Sequence, residues 1–458
     1  MGPAMTGELG EQLAAALVPV LGTVEVRSLR RLTGGASRET WSFDAVDADA
    51  LVHELILRRD PPARPGPRGA MTLEARVIRL AGAAGVPVPE VLVDTDDTRV
   101  WGAAGLVMRR VEGEALGKRI LRSEDLSAAR DGLVAACAEA LAALHSVSPA
   151  ELSGAPEFDP LDVVRGILDA IGEPVPTFEY AVRWLEEHRP ASAGRAIVHG
   201  DFRLGNLLVA PDGLTAVLDW ELVHLGDPIE DLGWFCVRAW RFGAQPPVAG
   251  VGRREDLLDA YAAAGGARVT ADELRWWEAY GTLRWGAICL TQTAVHLRGD
   301  LRSVELAAIG RRVCETEWDL LLLLAPEVAA DAVDAHARVA AGPDLGPGLH
   351  GRPTAAELVD AVREYLSDQV VPGTDGALSY HARVAANVLG TVGRELAAGT
   401  RPQQRRALAL AGLGVHDEAE LCAAIRAGSF DGDRDELVAV LAAGVVERVS
   451  VANPSYLR

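Results

Sequence analysis

The pattern of apolar residues changes character once along the chain, and that change limits the folds open to it. After an amphipathic opening helix near 8–20, residues 24–59 alternate apolar and polar positions around Gly34-Gly35 and read as three strands, roughly 24–32, 39–45 and 52–59. A helix follows over 71–84, carried by Leu73, Val77, Ile78 and Leu80, and then two short strands near 90–94 and 104–111. From about 116 to 341 long helical patterns take over, at 127–146, 178–188, 229–241, 270–298 and 303–328, with strand-like runs only at 196–199 and 206–219. The stretch Gly342-Pro343-Asp344-Leu345-Gly346-Pro347-Gly348 has the composition of a linker, and 354–444 is helical again. The expected class is therefore α+β: a small antiparallel sheet lobe over 1–110, a mostly helical lobe over 111–341, a linker over 342–353 and a separate all-α domain over 354–458.

Composition removes several classes of partner. A net charge of −20 gives no general attraction to phosphate polymers or anionic lipid, so neither nucleic acid nor a membrane is expected. No apolar run approaches the roughly 20 residues needed to cross a bilayer. Glu8 and Glu11 precede the first apolar run, where a secretory signal would carry basic residues, which points to the cytoplasm. The five cysteines show no C-x-x-C spacing and read as buried small hydrophobes. Lys118 is the only lysine. With Gly113 and Gly117 it falls one residue short of a Walker loop and is followed by Arg119, which disfavours that type of phosphate loop.

Chemistry concentrates in His199-Gly200-Asp201-Phe202-Arg203-Leu204-Gly205-Asn206, followed thirteen residues after Asn206 by Asp219 at the end of an apolar run. Two carboxylates and an amide around one loop suit phosphoryl transfer: one carboxylate accepts a hydroxyl proton while the amide oxygen and the other carboxylate hold Mg²⁺. A lone H-x-D is common and a single such histidine is usually a core residue; the full spacing is far rarer.

These segments, with Leu32-Thr33-Gly34-Gly35-Ala36-Ser37-Arg38-Glu39-Thr40-Trp41 upstream and Gly226-Asp227-Pro228-Ile229-Glu230-Asp231-Leu232 downstream, resemble the aminoglycoside phosphotransferase family over residues 24–300. The branch it resembles most is that of the phosphotransferase portion found with certain acyl-CoA dehydrogenases. The carboxy-terminal domain resembles an uncharacterised helical domain that accompanies such enzymes. The resemblance implies a two-lobed, protein-kinase-like fold and a Mg²⁺-dependent small-molecule kinase using ATP or GTP. It implies that Asp201 orients and deprotonates the acceptor hydroxyl, that Asn206 and Asp219 coordinate Mg²⁺, and that Arg203 steadies the transferred phosphoryl. Backbone N–H groups at Gly35, Ala36 and Ser37 would face the phosphates, and the strand containing Met108 would lead to the hinge where adenine bonds. Relatives commonly place a lysine on the third strand. Here that strand ends Leu57-Arg58-Arg59, and Arg58 is expected to serve, with Glu74 as its ion-pair partner. Asp231 is expected to brace a loop or cap a helix. Trp234, Trp240, Trp276, Trp277 and Trp285, with Glu278 nearby, either pack the core or line an acceptor pocket. The implied acceptor is a hydroxylated metabolite such as a hydroxy acid or its thioester. The competing reading is a catalytically weak pseudokinase or a partner-binding module.

Overall fold

The computed structural model describes residues 3–32, 38–62, 66–67, 69–339 and 353–458. The chain divides into two compact units, residues 1–158 with 191–278 and residues 159–190 with 279–458.

The first unit carries the sheet. Strands β1 (Glu25–Arg31), β2 (Glu39–Val46), β3 (Val52–Arg59), β4 (Val91–Thr95) and β5 (Gly105–Arg109) pair antiparallel in the order β1-β2-β3-β5-β4. One face is apolar because the side-chain period of a strand is two. Leu55 and Leu57 of β3 and Trp41 and Phe43 of β2 pack with Leu13 and Leu17 of the helix Pro3–Leu21, and each such burial contributes roughly 2 kcal/mol. The same period decides between two neighbouring arginines. Arg59 shares the face of Leu55 and Leu57 and is consumed there: it donates to Glu39 at 3.0 Å and to the Trp101 carbonyl at 2.6 Å, and its guanidinium lies 5.6 Å from the centre of the Trp41 ring. Arg58 projects to the other side, where the helix Ala70–Ala83 brings Glu74, itself buried.

The rest of this unit frames a loop. Strand β6 (Ala196–Val198) pairs with β9 (His224–Gly226), and β7 (Leu207–Ala210) pairs with β8 (Gly213–Val217). The helix Ser127–Ser146 buries Leu133, Cys137, Leu141 and Leu144, four positions at helical spacing, within the same unit. The expected run 206–219 is thus a hairpin turning at Pro211 and Asp212, and the helix expected over 229–241 stops at Cys236 before a 3₁₀ turn at Arg238–Arg241.

In the second unit Trp318 and Leu321 share one core with Leu421, Leu437, Leu441 and Val445. The second unit thus combines residues 159–190 with 279–458 around that core. The single helix expected at 303–328 is three, Val304–Gly310, Val313–Leu324 and Pro326–Val339. Pro326 has no N–H to continue the preceding helix and starts the next one. Helices at Pro160–Ile171 and Arg254–Ala263 stand where none was expected. Asp159 caps the first of these through the Leu161 N–H, with Pro160 at its first position, so the signal for it was present in the sequence. Where 354–444 was expected to be helical, the helices are Ala355–Tyr365, Gly376–Ala398, Arg401–Gly412, Glu418–Arg426 and Arg434–Ala452, the last running eight residues past that bound. Among the described residues no helix is long and apolar enough to cross a membrane.

Candidate active site

The loop His199–Asn206 joins β6 to β7, and Asp219 follows β8 by two residues. Main-chain and imidazole bonds bring the two segments together. The Leu218 N–H donates to the Asn206 carbonyl at 2.8 Å, and His199 Nε2 bonds to the Leu218 carbonyl at 3.1 Å. The Asp201 N–H donates to His199 Nδ1 at 3.1 Å, so Nδ1 is the accepting nitrogen of this ring and Nε2 the one that donates to Leu218. His199 is therefore a clamp holding Asp201 on one side and Leu218, the neighbour of Asp219, on the other. Two residues take the left-handed backbone this closure needs. Gly200 has φ +79°, and a Cβ there would stand 2.5 Å from the Leu222 carbonyl oxygen; Asp219 has φ +66° despite its side chain.

Asp201 is the hub of the loop. Its Oδ1 accepts from Trp234 Nε1 at 2.9 Å and from Arg203 Nε at 3.0 Å, and its Oδ2 accepts from Asn206 Nδ2 at 2.6 Å. Arg203 in turn lies with its guanidinium 4.9 Å from the centre of the Trp240 ring, a cation–π contact that fixes its direction. Asn206 donates a second bond to the Asp201 carbonyl at 2.9 Å, so its amide orientation is set and its Oδ1 is the oxygen left for another partner.

Arg58 joins the sheet to this centre, bonding Glu74 at 3.0 Å and Asp219 at 2.7 Å. Burial works against its charge, but Glu74, Asp219 and Glu221 together outweigh burial and raise its pKa. Asp219 is the mirror case: burial alone would raise its pKa, and Arg58, with Arg203 adding to it, reverses that and holds it below the ordinary carboxylate value. It is an anion at neutral pH. Arg38, not assigned a role from sequence, is a second cation here; it bonds Glu74 and lies 3.4 Å from Asp60 and 3.7 Å from Glu221. Its partner Glu74 stands 36 positions away in the sequence, and no local pattern marks it.

Asp231 is fully buried and accepts from the His199 N–H at 2.8 Å and the Gly200 N–H at 2.9 Å. His145 Nε2 lies 3.2 Å from the same carboxylate, and its Nδ1 lies 2.8 Å from the Tyr261 hydroxyl. Burial raises the Asp231 pKa, and His145 together with the backbone N–H of His199 more than offsets it, leaving it below the ordinary value. Because the folded pKa lies below the unfolded one, this carboxylate stabilises the fold fully above about pH 4, and the contribution is lost as pH falls through the folded value. Asp231→Asn puts an amide N–H₂ against two backbone N–H donors or against His145. We expect it to cost about 3 kcal/mol at neutral pH, read as a lower Tm, with the gap to wild type narrowing below about pH 4.

The other expected positions divide as follows. Gly35, Ala36 and Ser37 lie outside the described residues. Met108 is buried in β5 opposite Ile56, and the N–H groups of Arg109 and Arg110 are already committed to the Glu90 and Glu54 carbonyls at 2.9 Å each. Glu278 is buried, with Arg241 and Arg254 each donating to it at 2.8 Å, and burial raises its pKa against their pull. Trp234, Trp276 and Trp277 are core residues. Lys118 is exposed. Burial drives the thiols up, to about 12 for Cys289 and Cys314, so neither is a nucleophile.

Among the described residues no three His, Cys, Asp or Glu side chains converge as a metal cage. Magnesium does not require one: it is commonly held by one or two carboxylates, with phosphate oxygens and water completing its shell. Asp219 as an anion and the Asn206 amide oxygen fit that requirement, both being hard oxygen donors.

Residues 28–278 match the model of a family described as the phosphotransferase enzyme family, and residues 372–456 match a domain of unknown function, DUF6285. Acyl-CoA dehydrogenase family member 10 of Mus musculus is 30% identical over 214 residues, which cover 44% of this chain and 20% of the relative. Acyl-CoA dehydrogenase family member 11 of Homo sapiens is 29% identical over 227 residues, 45% of this chain and 29% of the relative. The chain thus matches less than a third of the length of either. A solved structure from Ralstonia eutropha, described as an aminoglycoside phosphotransferase, covers 68% of this chain and 97% of its own at 22% identity and TM-score 0.55, a likeness of fold.

Proposed function

The chain belongs to the phosphotransferase enzyme family, and from that premise we propose that it transfers the γ-phosphoryl of ATP or GTP to a hydroxyl of a small metabolite, with Mg²⁺ held by Asn206 and Asp219. The observation that carries this reading is the joining of Asp201, Asn206 and Asp219 by the bonds through His199 and Leu218. A scaffold has no use for that convergence.

In this reading Asp201 receives the acceptor hydroxyl. Its two oxygens are held by Trp234, Arg203 and Asn206, so the carboxylate presents one orientation, and orientation contributes more than basicity when proton removal is late. Arg203, stacked on Trp240 beside it, supplies positive charge where negative charge develops. Arg58 holds the α- and β-phosphates while keeping Glu74, the task a lysine has elsewhere in the family. The metal, when bound, neutralises charge on the phosphate oxygens. The acceptor we propose is a hydroxy acid or its thioester, the class consistent with relatives that carry the acyl-CoA dehydrogenase name.

One observation favours a second reading, a nucleotide-binding module without turnover: Arg58 occupies an oxygen of Asp219 that a metal would need. A screen of hydroxylated acids, their thioesters, sugars and aminoglycosides with ATP or GTP, followed by ³¹P NMR, decides between them. A new phosphomonoester signal with a hydroxy acid or thioester supports the proposed acceptor. A signal with another class corrects the acceptor and keeps the enzyme, and nucleotide binding with no phosphomonoester from any class supports the module.

A further inference from the structure

The helices Pro326–Val339, Arg401–Gly412 and Arg434–Ala452 of the second unit leave between them a pocket of about 840 Å³, a volume within the range of small-molecule sites. Its walls are made of small side chains. Ala332 and Ala335 face it from the first helix, Ala407 from the second, and Ala439 and Ala443 from the third. The pairs 332/335 and 439/443 are three and four residues apart, so each repeats along one helix face, where larger residues would have met across the gap and closed it. Buried Leu410 adds to the apolar lining.

The polar part of the pocket is fixed in place and already matched in charge. Arg406 donates to both oxygens of Glu418 at 2.7 Å and to the Val440 carbonyl at 2.8 Å. It can lie there because residue 444 is glycine, where a Cβ would stand 2.9 Å from Arg406 Nη1. Arg405 pairs with Glu447 at 2.6 Å, and Arg448 pairs with Glu317 at 2.7 Å. All three arginines of the lining therefore have carboxylate partners, while Asp331, Asp417, Glu418 and Glu447 all stand around the space. His336, 3.6 Å from Glu447, and His416 add positive charge only when protonated. A carboxylate or phosphate entering this pocket would meet no unpaired arginine, and it would meet Asp331 and Asp417, which none of the lining arginines pairs. An uncharged apolar body would gain burial without that repulsion.

We infer that this pocket is a binding site for a small, mainly apolar molecule carrying no negative charge. It stands apart from the phosphotransfer proposal, since none of its residues belongs to that centre.

Two probes of equal chain length test it on the full chain, 1-octanol and octanoate, titrated by calorimetry and by ligand-observed NMR at a pH well above the carboxylate range. The expected result is saturable one-to-one binding of 1-octanol, with octanoate about tenfold weaker or worse. Ala443→Trp and, on the opposite wall, Ala335→Trp fill the space and should abolish octanol binding with helical circular dichroism retained. If Ala443→Trp fails to fold, Ala335→Trp at its exposed position carries the comparison. Octanoate binding as tightly as octanol, octanol binding untouched in the folded tryptophan variants, or no saturable binding at millimolar octanol would each overturn the inference.

Discussion

In the proposed reaction, Asp201→Asn should lower kcat by about a thousandfold, with nucleotide affinity and fold retained. The reasoning starts from the bonds that hold this side chain. Trp234 and Arg203 both donate to Oδ1, which an asparagine oxygen can still accept, so the loop keeps most of its support. The cost in stability is the Asn206 bond to Oδ2, about 1 kcal/mol. What the variant would remove, on the proposed reading, is the ability to take a proton and the negative charge that orients the hydroxyl. The effect should therefore fall on kcat rather than on the KM for nucleotide, since the proposal gives the phosphates to Arg58 and the metal rather than to Asp201. Single-turnover kinetics alongside calorimetric nucleotide titration make that split visible. A parallel loss of nucleotide affinity would instead mean that Asp201 organises the nucleotide site.

Arg58→Ala should weaken nucleotide binding by about tenfold to a hundredfold, with Arg58→Lys intermediate. The guanidinium spans Glu74 and Asp219 with two different nitrogens, a fork that an ammonium can approach only as a point charge. Its removal leaves Glu74 to Arg38 alone and releases Asp219 from its strongest counter-charge. The alanine variant should therefore also lose stability, about 3 kcal/mol, because a buried carboxylate loses a partner. Lysine restores the charge and with it most of the stability, so the lysine variant separates the two effects. If Arg58→Lys is folded and binds nucleotide as tightly as wild type, the fork is unimportant. If a folded Arg58→Ala also binds as wild type, Arg58 is a structural ion pair and nothing more.

The parts of this site that the sequence exposes are those with local spacing. Asp201, Asn206 and Asp219 lie within nineteen positions and are brought together by a loop, a hairpin and backbone bonds. Arg58 is separable from Arg59 by strand parity, since alternation sends one to the apolar face and the other away from it. The supports are a different matter. Asp231 meets His145 across 86 positions, and Arg38 meets Glu74 across 36, and no periodic signal connects residues that far apart. In the sequence Trp234 is one of five tryptophans that either pack the core or line an acceptor pocket; it is buried, and its indole N–H donates to Asp201. The helical boundaries failed where one proline mattered: Pro326 ends one helix and begins another inside a run of apolar residues that reads as continuous.

The most direct measurement is a calorimetric titration of the full chain with ATP and with GTP, each with Mg²⁺ and with chelator, repeated for Asp219→Asn. If Asn206 and Asp219 form a metal-assisted phosphate site, at least one nucleotide binds more tightly by about tenfold or more when Mg²⁺ is present, and Asp219→Asn removes that dependence while remaining folded. Binding that is indifferent to Mg²⁺ in the wild type, or no binding of either nucleotide at millimolar concentration, would contradict it.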